Sequence, residues 1–225
     1  MPGWELIGNE ERESLNTIFD ESNGVMFAHG FDQLRNDRYR VREFEQKLAN
    51  YFEVGNVLAT TSGTMAQYIA MRAMGIGPGD EVITQAFTFV ATVETILEIG
   101  AIPVLVDIDD SYNMDPDALE SAITENTKLI IPVHMLGNPC DMEAICAIGT
   151  RHKIPVMEDA CEAFGGKYNG RWIGGLADIS VFSFDYAKTI TTGEGGAIFT
   201  DDANLDKAMR EFHDHGHENN PNLPR

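Results

Sequence analysis

The sequence predicts an α/β protein, a three-layer sandwich built on a mostly parallel sheet. Three observations carry that reading. Short apolar runs alternate with amphipathic, helix-periodic runs along most of the chain. Such alternation makes β-α-β units, whose strands lie parallel and buried beneath helices on both faces. Finally, 225 residues, 43% of them hydrophobic, suffice for one large domain, or one domain and part of another, without disulfides or structural metal.

The elements follow in order. Residues 10–20 and 41–52 read as amphipathic helices, joined by an irregular stretch rich in Gly, Asn and Arg. The run 56–61 (NVLATT) reads as a buried strand, and 64–74 as a helix with small and apolar residues on one side. After the turn Gly77-Pro78-Gly79-Asp80 come a strand over 81–84, a helix over 89–99 and a strand over 102–106. A short helix over 116–123, a strand over 128–133, a helix over 141–151 and a strand over 154–157 continue the alternation. The runs 179–183 and 196–200 are strand-like, and residues 218–225 read as a polar loop with two prolines. Ligands of such sheets sit beyond the carboxyl ends of the strands, so candidate chemistry is sought there.

The net charge, 16 basic against 36 acidic residues, is −20. That opposes long-range attraction to nucleic acid or anionic lipid. Three cysteines, Cys140, Cys146 and Cys161, without a C-x-x-C spacing, fit neither a disulfide framework nor a zinc site. The opening MPGWEL lacks a basic n-region, and no apolar run approaches the roughly 20 residues of a membrane span. The expectation is a reduced, soluble, cytoplasmic protein.

Five features sit at predicted strand ends. Ser62-Gly63-Thr64 opens a helix, where free N–H groups at the positive end of the dipole suit a phosphate; an ordinary Ser N-cap is the plain alternative. Phe89, at a loop mouth, is placed to stack on a planar ring or to join the core. Asp159, after the strand 154–157, is placed to pair with a cationic ring nitrogen or to cap a helix. Lys188, amid Phe182, Phe184, Tyr186 and Ile190, is either a partly desolvated amine nucleophile or a surface lysine. Ser183 precedes it, and the Gly-rich turn 193–196 follows, where backbone passes close to something or reverses tightly. The cluster His213, His215 and His217 fits a loop better than a metal-ligand set. Together, a phosphate cradle, a stacking aromatic, a carboxylate and an amine are what pyridoxal 5′-phosphate requires of a protein.

From about residue 31 to 217 the chain resembles the fold-type-I, pyridoxal-phosphate-dependent sugar aminotransferases of the DegT/DnrJ/StrS family. The resemblance rests on SGTMA (62–66), GPGDEVI (77–83), TFVAT (88–92), AIPVLVDID (101–109), TKLIIPVHMLG (127–137), EDACEAFGG (158–166) and SFDYAKTITTGEGGAI (183–198). The resemblance implies that Lys188 bonds the coenzyme covalently and that Asp159 holds its ring nitrogen protonated. It further implies that Phe89 stacks on the ring and that Gly63, Thr64 and Ser183 bind phosphate, with Ser62 among the coenzyme-binding residues. Glu162 stands where the family usually has Gln or His near the ring hydroxyl, so it must be protonated or bonded differently. The implied reaction is transfer of an amino group, with glutamate as the implied donor, to a keto-sugar. That acceptor is nucleotide-linked or an 8-oxo-octulosonate, used in cell-surface polysaccharide or lipopolysaccharide synthesis. MPGWELIG, FDQLRNDRYRVREFEQ and HDHGH are most similar to the octulosonate branch. The implied assembly is a homodimer with the site near the subunit interface. The implied organisation is an arm (1–30), a coenzyme-binding large domain (31–217) and a loop (218–225) leading to an absent small C-terminal domain. Two alternatives are a sugar dehydratase, in which a His replaces the lysine, and a non-catalytic binding module.

Overall fold

The computed structural model describes residues 3–26 and 30–216. Two helices come first, α1 (Asn9–Ser22) and α2 (Arg40–Phe52), followed by the strand β1 (Asn56–Thr60) and the helix α3 (Gly63–Ala73). Then follow β2 (Glu81–Gln85), α4 (Val90–Glu98), β3 (Ile102–Val106), α5 (Pro116–Ala122), β4 (Thr127–Ile131) and α6 (Met142–His152). The last elements are β5 (Met157–Asp159), a hairpin of β6 (Lys167–Tyr168) and β7 (Arg171–Trp172), β8 (Ile179–Ser183), β9 (Gly196–Thr200) and α7 (Ala203–His213).

The strands lie in the order β3-β2-β4 and β5-β8-β9-β1, and two isolated parallel bridges, Ile130 with Val156 and Val133 with Asp159, join β4 to β5. β3, β2 and β4 pair in parallel, as do β5 and β8; β9 is antiparallel to both β8 and β1. The sheet is therefore mostly parallel with one strand reversed, as predicted apart from that strand.

Alternation along the strands feeds two apolar layers. Leu58, Val82, Leu129, Ile131, Val181 and Ile198 pack with α3, with Ile96 of α4 and with Met209 of α7. On the other face, Val57, Phe182 and Phe199 pack with Leu48 and Phe52 of α2, and Ile83 and Ile130 with Leu119 of α5 and Ile145 of α6. These are the three layers, and period-2 strands buried on both faces explain why the strands read as continuous apolar runs.

Local chemistry sets the element ends. Ser62 caps α3 by accepting the Met65 N–H (3.0 Å), and Asp141 caps α6 by accepting that of Ala144 (3.1 Å). The strand predicted over 154–157 is displaced: Val156 makes only the isolated bridge, and pairing with β8 runs from Met157 to Asp159. Asp159 is thus the last residue of β5 rather than the residue after it. The hairpin β6–β7 and the helix α7 were not predicted. His213, read as loop, ends α7, whereas His217 and residues 218–225 lie outside the described residues. Among the described residues, no helix is long and apolar enough to cross a membrane, and no group of three or more His, Cys, Asp and Glu is arranged to hold a metal.

Candidate active site

The carboxyl ends of β1, β5 and β8 open onto one cavity of about 260 Å³. All eight predicted site residues, Ser62, Gly63, Thr64, Phe89, Asp159, Glu162, Ser183 and Lys188, line it.

The cradle at β1–α3 is built by close backbone approach. A Cβ at Gly63 would lie 2.9 Å from both Cys161 Sγ and Ser183 Cβ, so only glycine lets α3 begin against β8. A Cβ at Gly196 would lie 2.4 Å from the Ser62 carbonyl. The Gly-rich turn therefore carries backbone against the start of α3. The N–H groups of Gly63 and Thr64, in the first turn, have no intrahelical acceptor and sit at the positive end of the helix. Ser62 is the ordinary N-cap that the sequence allowed, and its hydroxyl proton remains available as a donor.

Asp159 is 3% exposed. Its Oδ2 accepts from Gln67 Nε2 (2.7 Å) and Thr92 Oγ1 (2.8 Å), and its Oδ1 accepts the Cys161 N–H (3.2 Å). Among the described residues it has no ion-pair partner. Gln67 and Thr92 were missed at the sequence level. The available signal was a glutamine on the small, apolar side of α3, and threonines at 88, 92 and 95 on one side of α4.

Lys188 is partly buried, its side chain 21% exposed, but its neighbours are not the flanking residues the sequence suggests. Phe182 and Phe184 point into the core while Tyr186 and Ile190 are exposed, so the flanking apolar residues do not enclose the amine. Its Nζ instead lies 3.8 Å from Glu162 Oε1 and 5.7 Å from the Phe89 ring centroid. Phe89 itself is 59% exposed at the start of α4, not a core residue. Glu162 is held from two sides. Its Oε2 accepts the Leu136 N–H (2.8 Å), and its Oε1 faces the ammonium. This partly exposed pair contributes about 0.2–1 kcal/mol. Glu162→Gln keeps an acceptor for Leu136, so the denaturation midpoint is expected to stay close to the parent's, within that margin. A larger drop in urea unfolding would mean that the carboxylate does more than these contacts show.

The cavity wall also carries a thiol. Burial, then the Asp159 charge, push the Cys161 thiol well above its usual value. Burial likewise raises Cys140, and pushes Cys146 up to about 11. A thiol of that kind is only about one-thousandth thiolate at pH 8. All three cysteines should therefore stay unreacted for minutes with a disulfide reagent at pH 8, and titrate fully once the chain is unfolded. Rapid labelling of the folded chain would contradict this.

The α/β domain thus gathers at its strand ends an amine, a buried carboxylate, an exposed ring and a helix N-terminus, the groups that a coenzyme-dependent class of enzyme would need. Comparison with known proteins narrows the class. The model of the DegT/DnrJ/EryC1/StrS aminotransferase family matches residues 22–223. The chain is 46% identical over 179 residues to GDP-perosamine synthase of Caulobacter vibrioides, covering 79% of this chain and 48% of that protein. It is 44% identical over 191 residues to UDP-2-acetamido-2-deoxy-3-oxo-D-glucuronate aminotransferase of Pseudomonas aeruginosa, covering 82% and 53%. The solved structure of NtdA from Bacillus subtilis with bound cofactor PMP superposes with a TM-score of 0.83 at 38% identity, covering 98% of this chain and 49% of that one. The chain belongs to the DegT/DnrJ/EryC1/StrS aminotransferase family, whose coenzyme is pyridoxal 5′-phosphate. It spans about half the length of the curated relatives it matches.

The residues present fit that coenzyme. The glycine cradle leaves free N–H donors beside Ser62 and Ser183 for a phosphate, and both lone pairs of Asp159 Oδ2 are taken by neutral donors. The carboxylate therefore offers Oδ1 to a cationic ligand nitrogen.

Proposed function

We propose that residues 31–217 are the coenzyme-binding large domain of a pyridoxal-phosphate-dependent aminotransferase that places an amino group on a keto-sugar. One observation carries this reading: Lys188 Nζ and the Asp159 carboxylate line the same small cavity, which the N-terminus of α3 also enters. In this reading Ser62, Gly63, Thr64 and Ser183 hold the phosphate, Phe89 lies on the ring, and Asp159 keeps the ring nitrogen cationic. When bound, the coenzyme supplies an electron sink. Lys188 supplies the amine that anchors it and, once displaced by an amino donor, takes up a proton at Nζ as general base and returns it as general acid. Glu162 faces the ammonium that Lys188 becomes on taking up that proton.

The names of the relatives support a nucleotide-linked keto-sugar as acceptor. The octulosonate acceptor, glutamate as donor and a lipopolysaccharide role rest on the sequence resemblance alone. A homodimer with the site near the subunit interface belongs to the same reading, as do the arm over residues 1–30 and the loop over 218–225. The three cysteines are free thiols, which suits the cytoplasm.

The test is a titration of the purified chain with pyridoxal 5′-phosphate, followed by addition of amino acids one at a time. Saturable growth of a visible band that glutamate bleaches supports the reading. A chain that develops no band at millimolar coenzyme overturns it.

A further inference from the structure

The carboxylate of Asp159 sits at the centre of a one-way hydrogen-bond chain. Thr88 Oγ1 donates to Thr92 Oγ1 (3.1 Å), and Thr92 Oγ1 donates to Asp159 Oδ2 (2.8 Å). From the other side Thr95 Oγ1 donates to Gln67 Oε1 (2.9 Å), and Gln67 Nε2 donates to the same Asp159 Oδ2 (2.7 Å). Gln67, Thr92 and Thr95 are 2%, 0% and 3% exposed. Each hydroxyl has one proton to give. Spending that of Thr92 on Asp159 leaves Thr92 as the acceptor for Thr88. The carboxylate only accepts, so the Gln67 amide must turn its nitrogen to Asp159, which leaves Gln67 Oε1 facing Thr95 Oγ1; the single Thr95 proton also has the Ala91 carbonyl at 2.9 Å and the Thr92 carbonyl at 3.1 Å.

We propose that Gln67 and Thr92 are positioning residues. Their converging donors hold the Asp159 carboxylate rigid, and they occupy Oδ2 so that the lone pair of Oδ1 not taken by the Cys161 N–H is left for the cationic ring nitrogen of the coenzyme. The proposal rests on the function proposed above and deepens it. The physical reason lies in burial. An isolated carboxylate at this depth is costly, and no Lys, Arg or His among the described residues pairs with it. Two neutral donors, Gln67 and Thr92, the latter backed by Thr88, stabilise the charge without neutralising it. The site is then complete only when a cation enters the cavity. A lysine or arginine in their place would satisfy Asp159 permanently and remove its attraction for a ring N–H.

An ordinary role for these residues, filling the core between α3, α4 and the sheet, makes a different forecast. The discriminating probe is a coenzyme analogue, 1-deazapyridoxal 5′-phosphate, which keeps the phosphate, aldehyde and ring shape but has carbon in place of the ring nitrogen. Thr92→Val preserves volume and removes the donor, and Gln67→Met does the same from α3. Each is expected to raise the dissociation constant for pyridoxal 5′-phosphate about 10- to 100-fold, and to leave that for the deaza analogue within about twofold of the parent. Thr92→Ser restores the hydroxyl and should recover most of the lost affinity. Circular dichroism of each variant checks folding, and if Thr92→Val does not fold, Gln67→Met carries the test alone.

Equal weakening for both molecules would show that the two residues serve only packing, and would overturn the proposal. Unchanged affinity for pyridoxal 5′-phosphate in both variants would overturn it as well. A parent chain that binds neither molecule would remove the functional reading itself. That outcome is visible before any variant is made, so the two failures are separable.

Discussion

Lys188→Ala is expected to abolish the visible band formed with pyridoxal 5′-phosphate and to lower any transamination by at least about 10²–10⁴-fold, the range that a positioned acid–base group supplies. Lys188 is the lysine that lines the cavity, and its Nζ sits 3.8 Å from Glu162 with the Phe89 ring beyond it. Among the described residues no second lysine lines that cavity. The fold should survive the change. Its partly exposed ion pair contributes about 0.2–1 kcal/mol, so the urea midpoint is expected to move little while the spectrum is lost. A Lys188→Ala protein that keeps the band would place the covalent chemistry elsewhere. One that fails to fold would assign this side chain a structural duty that its contacts do not reveal.

Glu158→Ala is expected to have the largest effect on stability. Glu158 is fully buried and precedes Asp159 on β5. Its Oε1 accepts the N–H groups of Leu176 (2.8 Å) and Ala177 (2.9 Å), and its Oε2 that of Gly174 (2.9 Å). The fourth donor is His134, also fully buried. Its Nδ1 accepts the Cys140 N–H (3.1 Å), which puts the ring proton on Nε2, 3.2 Å from Glu158 Oε2. One carboxylate thus ties β5 to the loop before β8 and to the segment after β4. Alanine would strand four donors in the interior, at a cost of about 3–5 kcal/mol. Against a total stability of roughly 5–15 kcal/mol, that loss is large. Glu158→Gln should lose less, because it keeps one acceptor oxygen, although its NH₂ group must face at least one N–H donor. Coenzyme affinity should fall in parallel, since β5 also carries Asp159. A Glu158→Ala chain with an unchanged denaturation midpoint would contradict this account of how β5 is held.

Much of the fold was legible because each strand is short and apolar and each helix amphipathic. The runs 102–106, 179–183 and 196–200 coincide with β3, β8 and β9. What was not legible follows from physics that a local pattern does not encode. The reversal of β9 depends on where the chain goes after Ser183, and an apolar five-residue run reads the same in either direction. β5 was placed three residues early, since Ile154 and Val156 are apolar whereas Glu158 and Asp159 are charged. Buried carboxylates look like loop until their donors are seen. The helix α7 did leave a trace. Asp202 caps it, and Leu205, Met209 and Phe212 recur at helical spacing. The two-residue strands β6 and β7 left none.

The site divides in the same way. Gly63, Asp159, Ser183 and Lys188 were readable from their position at or beyond strand ends, and the structure brings them to one cavity. Gln67, Thr92 and Thr95 were not, because a polar residue inside a helix gives no sign of facing inward until a buried charge is placed opposite it. The neighbours of Lys188 were misjudged because the chain leaves the strand after Ser183 and turns before it reaches the lysine. Phe182 and Phe184, two apart, share the core-facing side of the chain, while Lys188 lies beyond the strand in a turn that faces the cavity.

The most direct test of the central claim, that one cavity joins the Lys188 amine to a coenzyme held by Asp159, is reduction of the coenzyme-loaded chain with borohydride followed by peptide mass mapping. The expected result is a single phosphopyridoxyl mass addition located at Lys188 and lost in Asp159→Ala at limiting coenzyme. An addition located instead at Lys47, Lys128, Lys153, Lys167 or Lys207, or a loaded chain that acquires no addition at all, would contradict the account.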